Sequence, residues 1–149
     1  MVIYTTPCVI VKFIQEEEII LIKWTQKPDN KEFIYVYSQV LKIATTTYPT
    51  TLFCTDLSII GSLKNEQENW LNQEYYQQVY DGIRSLIFTA VVFSEDHFKA
   101  IISNYKATET DNLHSFINFN YFTELKEAFH WLSSIKKGQD AMVLPISNS

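Results

Sequence analysis

The sequence predicts an α/β fold: a mixed sheet of about five strands with four flanking helices, beginning with an antiparallel hairpin. Three observations predict it. Leu86–Phe93 is a nearly unbroken apolar run, too short to span a membrane, that ends on the helix-starting residues Ser94, Glu95 and Asp96. A strand apolar on both faces needs cover on both sides, and a sheet flanked by helices supplies it. Two further apolar runs, ending at Phe13 and Trp24, are separated by a short polar turn. They pair antiparallel, because a parallel connection needs about a dozen residues or more. After them helical and strand patterns alternate, which favours parallel strands joined by right-handed crossovers.

Val2–Phe13 reads as one strand with an early irregularity at Pro7, which cannot donate to a ladder. Gln15–Glu18 is a polar turn whose three glutamates lack the spacing of a calcium loop. Pro28, Asp29 and Asn30 stop the second strand and start a helix of about 15 residues, in which Phe33, Tyr37, Val40, Leu41 and Ala44 recur at helical spacing. Thr45–Thr47 and Tyr48-Pro49 end it. Leu52–Cys54 is a short strand closed by Thr55-Asp56-Leu57-Ser58, with Asp56 as strand-end cap or loop organiser.

A second helix, Glu66–Tyr80, carries the less regular stripe Trp70, Leu71, Tyr75, Tyr76, Val79 and Tyr80, and Gly82 supplies its left-handed cap. The Leu86–Phe93 strand then enters a helix capped by Ser94, with Phe98, Ile101, Ile102 and Tyr105 on one face. Past a polar break at Glu109–Asn112, a last strand covers about Ser115–Asn120. Thr123 caps the clearest amphipathic helix, with Leu125, Ala128, Phe129, Leu132 and Ile135 on its apolar face. Lys136, Lys137 and Gly138 mark its end. One domain over residues 1–138 and a C-terminal tail over 139–149 account for the 149 residues.

Composition narrows the function classes. Hydrophobic residues at 46% and aromatics at 15% provide ample core. A net charge of -5 and a single arginine, Arg84, oppose a nucleic-acid surface, which needs a concentrated basic field. Cys8 and Cys54 read as small buried hydrophobes and do not suggest a disulfide scaffold. Lys12 and the glutamate run interrupt the apolar amino terminus before a signal pattern forms, so cytoplasmic residence without a membrane-spanning segment is the expectation.

No motif assigns a catalytic, cofactor-binding or metal-binding residue. His97, His114 and His130 are widely separated, and no serine stands in a Gly-x-Ser-x-Gly turn. Gly61, Gly82 and Gly138 are too far apart for a phosphate loop. Ligands of open sheets gather beyond the carboxyl ends of parallel strands. That places a candidate interaction surface at Asp56, Ser58 and Ser62 with Ser94, Asp96 and His97, continued by Asn120–Thr123.

The stretches Leu52–Ser58, Leu86–Phe93 with its capped helix, and Phe122–Leu132 resemble the SpoIIAA-like branch of the STAS/SEC14-like domains, over roughly Val9–Ile135. In the last stretch a phenylalanine precedes an acidic helix start and an Ala-x-x-Trp-Leu close. The resemblance implies a sheet that opens with two strands and then alternates helices and strands. Anti-sigma-factor antagonists of this class carry a phosphorylated serine in an Asp-Ser-Ser/Thr-Gly motif after the third strand. Ser62 is the positional match here, with Gly61 where that motif has aspartate.

The functional expectation is a non-enzymatic cytoplasmic protein-interaction or signalling module with a protein partner, and self-association through exposed aromatics is a further option. Two alternatives stand beside it. One is a small apolar or amphiphilic, lipid-like ligand held between sheet and helices, lined by Trp70, Tyr75 and Tyr76. The other is an enzyme whose site is assembled at the strand ends by Asp56, Ser94 or His97.

Overall fold

Alternating burial in the first strands creates two distinct sheet faces. In the computed structural model, which describes residues 1–99 and 116–143, Val9, Val11 and Phe13 are buried while Ile10, Lys12 and Ile14 between them are half-exposed. The strands are β1 (Val2–Thr6), β2 (Val9–Ile14), β3 (Ile19–Trp24), β4 (Leu52–Asp56), β5 (Ile87–Val92) and β6 (Ile117–Phe122). They form one six-stranded sheet in chain order. β1, β2 and β3 pair antiparallel, and β3 to β6 pair parallel. The expected strand Val2–Phe13 is therefore two strands. Pro7 and Cys8 form the turn between them, which raises the count from about five to six.

One face is covered by α1 (Asn30–Thr45) and by a second helix that runs continuously as α2 (Asn65–Trp70), a π-helical turn (Leu71–Tyr75) and α3 (Tyr76–Ile83). Asp29 caps α1, its carboxylate accepting from the Glu32 N–H at 2.8 Å. Phe33, Val36, Tyr37, Val40 and Ala44 are the buried positions of α1. They pack with Trp24, Phe53, Leu71, Tyr75, Ile87 and Val91 in one core. The π turn explains the irregular stripe read from the sequence. Gln67, Leu71, Tyr75 and Val79, spaced by four, are buried. In a regular helix each such step drifts by ~40°. The wider turn, closed by the Tyr76 N–H on the Leu71 carbonyl, takes up part of that drift.

The other face is covered by α4 (Leu125–Val143), which lies on β4, β5 and β6. Ala128 and Leu132 meet Ile19, Leu21, Leu52, Cys54, Ala90 and Val92 there. β5 thus contributes Ile87 and Val91 to one core and Ala90 and Val92 to the other, enclosed as its apolar sequence requires. Leu86, which opens the run, precedes the strand and is exposed.

Several helix ends differ from expectation. Gly82 is helical and does not cap α3. The left-handed residue is Arg84, at φ 57°. Gly82 serves close packing instead, since a Cβ there would stand 3.2 Å from Thr45 Cγ2. α4 starts at Leu125, with Glu124 and not Thr123 supplying the carbonyl for the Ala128 N–H. It continues through Gly138 to Val143, so Lys136 lies within the helix and pairs with Asp140 one turn on. The last strand ends at Phe122, two residues beyond the expected Asn120. The helix after β5 is described over residues 95–99. The expected positions Ile101, Ile102 and Tyr105, the break at Glu109–Asn112 and the end of the tail from Leu144 lie outside the described residues.

Two substitutions test this packing. Leu132→Ala should lower the unfolding free energy in urea by about 2–5 kcal/mol, because the side chain is fully buried between α4 and the sheet. Gly138→Ala should raise it by about 0.5–1 kcal/mol, since the position is helical and nothing lies within 4 Å of the added carbon.

Candidate functional site

The loop leaving β4 is fixed by its own residues. Asp56 is the last residue of the strand and is buried. Its Oδ1 accepts from the Ser58 N–H at 2.9 Å and from the Ser58 hydroxyl at 2.6 Å. This is the loop-organising role read from the sequence, an aspartate closing a turn on the residue two positions on. The Leu57 N–H continues the ladder to the Val92 carbonyl at 2.8 Å, and Leu57 and Ile60 are buried. The Gly61 N–H bonds back to the Leu57 carbonyl at 3.0 Å. At φ +77° Gly61 holds a backbone conformation that other residues resist. Between these fixed points Ile59 is 59% exposed.

The helix after β5 comes up against this loop. Ser94 occupies the cap position, its carbonyl accepting the Phe98 N–H at 2.9 Å. Ser94 and Asp96 are exposed. His97 is half-buried, with its ring 5.1 Å from that of Phe93. A Cβ on Gly61 would lie 3.6 Å from His97 Nδ1, so the two predicted segments do meet, at Gly61 and His97. Glu68 of α2 completes this corner. Burial raises its carboxyl pKa and the nearby His97 acts in the opposite direction.

Ser62 follows Gly61 directly and is exposed. It lines a groove of about 240 Å³ with Lys27, Pro28, Leu63, Lys64 and Gln67. Gln67 shapes the groove, accepting from the Lys64 N–H at 3.1 Å and donating to the Pro28 carbonyl at 3.1 Å. On β6 the Asn120 side chain accepts from the Tyr121 N–H at 2.9 Å, and Thr123 is exposed beyond it.

The arrangement is a shaped rim. The Ser58 hydroxyl is bonded to a carboxylate, a poor base for activating it; serine nucleophiles ordinarily take a histidine in that place. Among the described residues, no three of His, Cys, Asp and Glu could hold a metal ion together. Trp70, Tyr75 and Tyr76, the expected ligand lining, are engaged with other rings. Trp70 and Tyr75 stack at 5.4 Å, Tyr37 meets Tyr75 at 5.0 Å, and Tyr76 meets Phe119 at 5.5 Å. Burial raises the phenol pKa of Tyr37, Tyr75 and Tyr76, so each stays protonated.

A larger concavity of about 430 Å³ opens at the opposite, amino end of β4 and β5, between Thr45, Thr50, Thr51, Ser85, Lys136 and Glu18. Lys136 and Glu18 pair across it at 3.2 Å. Sequence reasoning missed it because its walls come from the β2–β3 turn, the end of α1, the start of β4 and α4. The lone signal was the threonine run at the end of α1.

No family model, curated protein or solved structure matches the chain. Among the described residues, no helix is long and apolar enough to cross a membrane.

Thiol chemistry checks the burial beneath the rim. Cys54 lies on the α4 side of β4, and burial, then the charge of Asp56, pushes its pKa up to about 12. At pH 8 a disulfide reagent should titrate only the half-exposed Cys8 in the native chain and reach Cys54 on addition of denaturant. Two fast thiols in the native protein would contradict this placement.

Proposed function

We propose that the protein is a non-catalytic, cytoplasmic interaction module of the STAS/SpoIIAA-like class that docks a protein partner through the loop leaving β4. The observation that carries the proposal is Ile59, a large apolar side chain 59% exposed on a loop whose neighbours Leu57 and Ile60 are buried. A side chain displayed on a fixed loop loses little conformational freedom on binding, which makes it an effective anchor. Support for the class comes from the initial hairpin and the parallel strands that follow in chain order. Ser62, exposed at a groove that Lys27 and Lys64 also line, is the proposed position for a phosphorylation switch. A phosphoryl group there would add up to about two negative charges to a groove lined by two lysines and change the docking surface.

Affinity capture with wild-type and Ile59→Asp chains of equal thermal stability tests the proposal. It predicts a protein partner bound by the first and weakened at least about tenfold with the second. Equal capture by both chains, or no partner for either, contradicts it.

A further inference from the structure

The groove lined by Ser62 is built from two segments that a buried glutamine ties together. Gln67, 3% exposed, accepts from the Lys64 N–H and donates to the Pro28 carbonyl, each at 3.1 Å. The chain ahead of α1 and the chain ahead of α2 are thereby held together, and each brings a lysine to the groove, Lys27 and Lys64. Both lysines are exposed, and neither is in an ion pair among the described residues. None of the seven described residues that line the groove is acidic. The acids next along the chain are engaged elsewhere: Asp29 caps α1, and Glu66 accepts from the Asn30 amide at 2.6 Å. Pro28, Ile60 and Leu63 give the groove an apolar lining. Ile60 follows Ile59 directly, so the groove is continuous with the β4 loop.

We propose that this groove receives a carboxylate side chain of the docked protein partner, so that the segment covering Ile59 is acidic and sets an aspartate or glutamate against Lys27 and Lys64. The inference rests on docking at the β4 loop and names the chemistry of the segment that docks. Charge complementarity selects that chemistry. Two unpaired ammonium groups are a local exception in a chain of net charge -5, and at physiological salt exposed charges interact over only about 8 Å. The groove therefore attracts an acidic group by its own lysines, whatever the charge of the remoter surface. A carboxylate suits it better than a phosphate. Lysines act as flexible point charges, whereas rigid bidentate phosphate sites use a guanidinium fork, and the single arginine, Arg84, stands at the far end of the second helix, beyond α3. Two lysines are also too few to follow a nucleic-acid backbone, whose affinity comes from many phosphate contacts.

Selection of phage-displayed random peptides against the folded full chain tests the inference. The wild-type chain should enrich peptides that carry aspartate or glutamate close to an apolar residue, and these should bind the Lys27→Glu/Lys64→Glu variant at least about tenfold more weakly. A fresh selection against that variant should enrich lysine or arginine in place of the acid. Should the variant fail to fold, Lys27→Gln/Lys64→Gln must still lose the preference for acidic peptides. Enriched peptides without acids, acidic peptides that bind wild type and lysine variants alike, or no enriched peptide at all overturns the inference. Ile59→Ala, which adds no charge, separates this result from the docking reading. Acid-free peptides that lose affinity with Ile59→Ala remove the acidic partner and leave docking at the loop standing. Acidic peptides that need the lysines and are indifferent to Ile59→Ala remove the loop as the anchor and leave the groove.

Discussion

The structure depends on the complete enclosure of β4. All five of its residues are buried, with parallel neighbours on both sides, Phe53 in the core under α1 and α3, and Leu52 and Cys54 under α4. Such a strand has no face to spare for water, so both helical layers must be in place before it is stable. The aromatic packing of Trp24, Phe33, Tyr37, Trp70 and Tyr75 provides one layer. Ala128 and Leu132 of α4 provide the other, and Ala128 lets the helix approach the strands closely.

That enclosure gives the rim its rigidity. Because β4 and β5 are paired through Asp56 and Val92, the loop beyond them starts from a fixed point. The polar group at the end of β4 is satisfied locally by Ser58. Burial of Leu57 and Ile60 then leaves Ile59 turned to solvent. Apolar exposure at this position follows from the constraints on its neighbours and is held in one place by them.

Periodicity made the interior legible. The apolar positions of α1 and α4, the two-sided burial of β5 and the turn role of Asp56 all follow from residue spacing and side-chain chemistry. Chain punctuation was less legible because glycine and proline each have more than one use. Pro7 forms a turn where an irregular strand was expected. Gly82 admits a neighbouring helix, and Gly138 lies inside α4. The meeting of Gly61 with His97 and the amino-end concavity join residues distant in sequence, so no local pattern announces them.

The central claim is that an enclosed strand holds a rigid loop bearing an exposed apolar side chain, and residue-resolved amide hydrogen exchange tests it most directly. The Leu57, Ser58 and Gly61 amides donate to the Val92 carbonyl, Asp56 Oδ1 and the Leu57 carbonyl, respectively. The account predicts that the β4 and β5 amides exchange only on global unfolding and that those three loop amides are strongly protected. Exchange of Leu57, Ser58 and Gly61 at the rate of an unstructured peptide would contradict it.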